Sequence, residues 1–120
     1  MKEQISYDDF AKLEICIGTV VSAELVPETD KLIKCTVNFG ELGERTIVSG
    51  IAERPAEGGS ASGGKTPADL IGKQFPYLVN LAHRVIRGIE SEGMILAIKD
   101  KDGISLLNPD RAVESGAHIS

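Results

Sequence analysis

The sequence predicts an all-β fold, a small closed barrel of five strands interrupted once by a short helix. Three observations carry this reading. Runs rich in Ile, Val and Thr with a period of two recur along the chain. Turn-forming clusters such as "GELGE" and "KDKDG" separate them. The 120 residues suffice for one buried core and not for a second independent one.

The elements follow in order. Ser6 before "YDDFAKL" predicts a short capped helix, because its hydroxyl accepts a backbone N–H and Asp8 and Asp9 suit the positive end of the dipole. "EICIGTVVSAELV" is the first strand, in which Gly18 permits a bend or a close backbone approach. In the second, "KLIKCTVNF", Ile33, Cys35, Val37 and Phe39 share one face and Lys34, Thr36 and Asn38 the other, the pattern of a half-buried strand. "GELGE" turns into "RTIVSGI", the third strand of a hairpin. "TPADLIGK" then offers Thr66 as cap, Pro67 at the first helical position and Gly72 as terminator. "QFPYLVNL" and "EGMILAIKD" are the fourth and fifth strands, with "AHRVIRGIES" as the loop between them. "KDKDG" makes a tight turn into "ISLLNPD", and "AVESGAHIS" is a short extended return. Five strands with a helical element between the third and fourth form the layout of the OB-fold, whose strand 2–3 face and 1–2 and 4–5 loops bind oligonucleotides.

Composition narrows the function. No apolar run approaches the roughly 20 residues of a membrane-spanning helix, and the N-terminus lacks the pattern of a signal peptide, so a cytoplasmic protein with no membrane partner is expected. The net charge of −5 opposes broad attraction to nucleic acid, so any such binding needs a local basic patch. Cys16 and Cys35 sit among apolar neighbours with no Cys-x-x-Cys, which reads as buried free thiols, a disulfide or metal pair being the alternative. No Ser-His-Asp or metal spacing is present, and His83 and His118 have no recognisable partners, so neither catalysis nor a cofactor is expected.

One stretch tests that expectation. From Gly59, "GSASGGKT" spells the G-x-x-x-x-G-K-T of a phosphate-cradling loop. Such a loop needs a buried strand directly before it and a substantial helix after it. Here "AERPAEG" precedes it and Gly72 ends the following helix within about two turns. Asp100, in the position of a magnesium-holding aspartate after "MILAIK", opens a turn instead. The Gly-Ser-Ala content predicts a flexible connection over residues 54–65.

"DKL" in the first loop, "IVSGI", and "NL" followed by "RGIESEGMILA" resemble the tRNA-binding domain found at the C-terminus of many methionyl-tRNA synthetases, in free-standing tRNA-binding proteins and in CsaA-like export chaperones. The resemblance covers nearly the whole chain, and "SGI" and "SEGMILA" are nearer the synthetase-associated branch. It implies an OB-fold homodimer that binds folded tRNA through shape and backbone, without catalysis, free-standing or assisting an aminoacyl-tRNA synthetase in trans. Carried over by position, the candidates are Lys31 in the first loop, Lys34 and Arg45 on the strand 2–3 face, Ser49, Asn80, Arg84 and Arg87 around the 4–5 loop, and Ser91 and Met94 at its exit. The cations can contact phosphates, Asn80 and Ser91 can bond bases or the 2′-OH, and Met94 can pack on a splayed base.

Each has a structural alternative. Lys31 and Lys34 are ordinary on solvated surfaces, Ser49 and Ser91 can satisfy backbone groups near turns, Asn80 can cap a strand end, and Met94 can belong to the core. The chain also departs from the family, whose loop after "NL" often carries Lys-Pro and a further Lys where this chain has Ala82-His83 and Val85. With Glu90 and Glu92 set against Arg84 and Arg87, the loop counts as neutral apart from His83, which implies weak tRNA binding or help from a dimer. Aromatic residues are 4% of the chain and none falls in the binding loops, so a stacking platform is not expected. A neutral loop with Val85 and Ile86 leaves the alternative of a chaperone-like module that holds extended polypeptide.

Overall fold

The structure, a computed structural model, describes residues 1–29, 31–52 and 65–120. Apart from Lys65, the predicted flexible connection lies outside the described residues, as does most of the stretch that spells a phosphate loop. Five strands form an antiparallel sheet in the order β3-β2-β1-β4-β7: β1 (Ile15–Leu25), β2 (Ile33–Asn38), β3 (Glu44–Ser49), β4 (Gln74–Leu78) and β7 (Met94–Ile95). The sheet curls into a nearly closed barrel.

β1 makes that curl possible because it is long enough to serve two partners. Its first half, Ile15 to Thr19, pairs with β4, and Thr19 to Leu25 pairs with β2, with a bulge between Val20 and Ser22. A bulge adds local twist and re-aims the strand. Gly18 lies where β1 crosses the core: a Cβ there would collide with the Val37 side chain and lie 2.7 Å from Phe39 Cε1, so only glycine fits. Val20, Ile33, Val37, Ile47, Phe75 and Tyr77 fill the interior, and the Phe39 and Tyr77 rings meet edge to face at 5.3 Å. Both cysteines are buried and free, and burial pushes the Cys35 thiol up to about 11.

The helices form as their caps dictate. In α1 (Tyr7–Ala11) the Ser6 hydroxyl accepts from Asp9 N at 3.2 Å. In α2 (Pro67–Leu70) the Asp69 carboxylate accepts from Thr66 N and Oγ1 at 3.0 and 2.8 Å, which holds that carboxyl below its ordinary value. Leu70, 1% exposed, anchors α2 on the barrel. At four residues, α2 is shorter than the substantial helix that a phosphate loop needs after its Lys-Thr.

Two segments depart from the sequence reading. The expected loop "AHRVIRGIES" is a hairpin of β5 (Arg84–Ile86) and β6 (Ile89–Ser91). Its two-residue turn, Arg87-Gly88, has φ of 53° and 80°, the doubly left-handed geometry that matches strand twist. Three-residue strands are too short to display a period, so the pattern read as loop. The hairpin packs outside the barrel, with Ile86 and Ile89 against a satellite cluster of Val26, Leu32 and Val48. Likewise "EGMILAIKD" is not one strand: β7 stays in the barrel, while β8 (Ala97–Asp100) leaves it to pair with β9 (Gly103–Leu106). Ile104 and Leu106 return apolar surface to the core. The tail runs beside β1 where β2 has ended, with Ile17 N donating to Ala117 O and Ile119 N to Ile15 O, both at 2.8 Å.

Candidate nucleic-acid interface

The sequence-predicted residues separate into a seam and a groove. The seam closes the barrel between β3 and the chain running from β6 into β7. Glu92 N donates to Thr46 O at 2.8 Å, and Thr46 N donates to Glu92 Oε1 at 3.0 Å. The buried Ser91 hydroxyl accepts from Val48 N at 3.0 Å and donates to Gly93 O at 3.2 Å. Arg45 Nη1 donates to Val79 O at 2.7 Å and Glu92 O at 3.3 Å. Side chains thus replace the missing rungs of a ladder, and among the described residues no buried side-chain N or O is left without a partner. Gly93 completes the closure, since a Cβ there would sit 3.1 Å from Leu78 O and 3.2 Å from Ile47 Cδ1.

Arg45 and Ser91 therefore do structural work, and Asn80 does the same elsewhere. Its Oδ1 accepts from Glu14 N at 2.8 Å and its Nδ2 donates to Lys12 O at 2.7 Å, fixing the chain between α1 and β1 against the end of β4. Lys34 lies on the outer face of β2 and reaches Glu24 Oε1, its cross-strand neighbour, at 3.5 Å.

The remaining five candidates, Lys31, Ser49, Arg84, Arg87 and Met94, line one groove of about 750 Å³. It runs between the end of β3, the β5–β6 hairpin and the start of β8. Lys99, which the sequence reading missed, joins them. Its "KDKD" setting reads as a turn, and only the departure of β8 from the barrel brings it beside the first loop. Among the described residues the lining holds four cations and no carboxylate, and none of the four is in salt-bridge reach of one. The sequence count of a neutral loop does not describe this surface. Glu92 is committed to the seam and Glu90 meets His83 Nδ1 at 3.2 Å, while Arg84 and Arg87 face the groove.

The arrangement suits a nucleic-acid backbone. Lys31, Arg84, Arg87 and Lys99 are exposed and can each reach a phosphate, and Ile86 and Met94 offer an apolar face to an unstacked base. The main chain at Lys31 is held by a hydrogen bond from Ala52 N to its carbonyl at 2.9 Å. A smaller cleft of about 360 Å³ shares Lys31 and Lys99 with the groove and adds Lys101 together with the carboxylates of Asp100 and Asp102.

Residues 15–118 match the family model described as "Putative tRNA binding domain". The chain belongs to this tRNA-binding domain family. It is 47% identical over 112 residues to a methionine–tRNA ligase of Flavobacterium psychrophilum, a match covering 92% of the chain and 15% of the ligase. The chain thus spans about one-sixth of the length of such curated relatives, 16% for the ligase of Porphyromonas gingivalis. Among solved structures, a MetRS related protein from Pyrococcus horikoshii superposes with a TM-score of 0.82 at 36% identity, covering 99% of this chain and all of that one. The chaperone CsaA of Bacillus anthracis gives 0.81 at 29% identity, covering 98% and 100%. The higher identities to synthetase-related proteins agree with the branch that "SGI" and "SEGMILA" indicate. Within this tRNA-binding domain, Ser91 to Gly93 of the family wording "RGIESEGMILA" form the seam, and the cations of the groove lie on either side of them. Among the described residues no helix is long and apolar enough to cross a membrane.

Proposed function

We propose that the chain binds tRNA in the groove of Lys31, Arg84, Arg87 and Lys99, as a non-catalytic module in the cytoplasm. The observation that carries this reading is four cations with no carboxylate among the described lining residues, on a chain of net charge −5. Long-range attraction is weak on such a chain, so affinity comes from contacts inside the groove. Ser49 and Met94 add a hydrogen-bonding hydroxyl and an apolar surface, and recognition proceeds through backbone and shape. The domain works as a homodimer, which doubles the contacts and raises avidity, and it assists a methionyl-tRNA synthetase. The ligase relatives support that partnership.

A titration with bulk tRNA across a salt series tests the reading. Four phosphate contacts give a slope of log K against log salt of about −3. Absence of binding at low salt by a folded protein overturns it. A second reading, a chaperone-like module for extended polypeptide, is favoured by Val85, 73% exposed on the hairpin, and by the likeness to CsaA. Binding of a fluorescent unfolded peptide that tRNA does not displace would favour that reading.

A further inference from the structure

At the start of β1, away from the groove, three side chains with metal-binding chemistry converge, and the tRNA reading uses none of them. One ligating atom from each of Glu14, Cys16 and His118 lies within 4.8 Å of the other two, and Glu14 Oε1 is 3.7 Å from His118 Nε2. The backbone sets this meeting. Cys16 and His118 are directly opposed in an antiparallel bridge, so their side chains leave the same face, and Glu14, two residues before Cys16, shares it. Hydrogen bonds flank the bridge at Ile15 and Ile17, and Glu14 is held by Asn80 through its N–H and by Val79 N through its carbonyl.

The spacing and donor types point to one class of ion. Bonds of about 2.0–2.3 Å in a tetrahedral site place ligand atoms roughly 3.3–3.6 Å apart. The Glu14–His118 pair is close to that edge already. Thiolate, imidazole and carboxylate together suit Zn²⁺, whereas Ca²⁺ and Mg²⁺ take oxygen ligands. Cys16, fully buried, forms the floor, and the side chains of Glu14 and His118 are 40% and 65% exposed. We propose that Glu14, Cys16 and His118 bind a Zn²⁺ ion, with water as the fourth ligand, and that the ion fastens the C-terminal tail to β1. Glu14 and Cys16 are far from His118 along the chain, and only the returning tail brings them together.

The test is a Zn²⁺ titration of the full chain by calorimetry and thermal unfolding, with Co²⁺ as a spectroscopic substitute. The expected result is one ion per chain, a higher Tm with Zn²⁺, and a thiolate-to-cobalt charge-transfer band with Co²⁺. His118→Ala and Glu14→Gln, both at exposed side chains, should each weaken Zn²⁺ binding by about 10-fold or more. Cys16→Ser should remove the cobalt band and Cys35→Ser should leave it. Should the buried Cys16→Ser variant fail to fold, the two exposed variants decide alone. No binding at submillimolar Zn²⁺, or wild-type affinity in His118→Ala, overturns the proposal. Neither outcome bears on the tRNA groove.

Discussion

At the seam, Arg45 commits its guanidinium to the carbonyls of Val79 and Glu92, whereas in the groove Arg84 and Arg87 are exposed with no carboxylate in reach among the described residues. Ser91 and Ser49 differ in the same way: the first is buried with both hydrogen bonds made inside the barrel, the second is half-buried on the groove wall. Identical residue types thus serve closure in one region and offer a ligand surface in the other. What separates them is where their hydrogen-bonding capacity is used. A seam residue that is removed leaves a buried partner unsatisfied, while a groove residue that is removed leaves only solvent.

The largest expected effect follows at the seam. Ser91→Ala strands the Val48 N–H and should cost about 1–3 kcal/mol, read by urea unfolding, while the folded fraction keeps the wild-type salt slope for tRNA. A lost slope with unchanged stability would move Ser91 into the interface and erase the distinction. The groove should respond in the opposite sense. Arg84→Ala combined with Arg87→Ala should leave stability within about 0.5 kcal/mol and lower the salt slope by about 2. If the double variant unfolds the protein instead, the two arginines belong to the scaffold.

Much of the scaffold was legible in the sequence because its signals are local. Ser6 and Thr66 announce helix starts, Gly18 marks a close approach, and alternation from Ile33 to Phe39 announces the inner face of β2. The β5–β6 hairpin was not, because three-residue strands carry no period and Arg87-Gly88 is not the usual Asn-Gly turn. The site was legible in part. Family wording gave Lys31, Arg84 and Arg87 together with Arg45, Asn80 and Ser91, but wording does not reveal which polar groups are used internally. Lys99 was out of reach because its place depends on β8 leaving the barrel beside β7. Summing charge along residues 80–92 does not reveal that Glu92 is turned into the seam while Arg84 and Arg87 line the groove.

Arg87 allows a finer cut through the comparison. It holds φ of 53°, where a bulky side chain is strained and Asn is well tolerated. Arg87→Asn should therefore raise stability by about 0.5–1 kcal/mol in thermal or urea unfolding and lower the salt slope by about 1. Opposite signs from one substitution are expected of a groove residue and not of a seam residue. If stability falls instead, the arginine stem contributes packing that the hairpin needs.

Lys34 marks the boundary between the two behaviours and carries the smallest expected change. It belongs to neither region: its ammonium lies 3.5 Å from Glu24 Oε1 on the outer face, with the side chains 38% and 68% exposed. Exposed cross-strand pairs of this kind contribute about 0.2–1 kcal/mol, and salt reduces that further. Lys34→Ala should thus cost less than about 0.5 kcal/mol and shift the tRNA salt slope by well under one unit, measured beside the Arg84 and Arg87 variants. A full unit of slope would mean that a phosphate reaches past the β5–β6 hairpin to the outer face of β2. The ligand would then wrap the satellite cluster of Val26, Leu32 and Val48 as well as fill the groove, and hydrogen exchange at β2 should slow on adding tRNA.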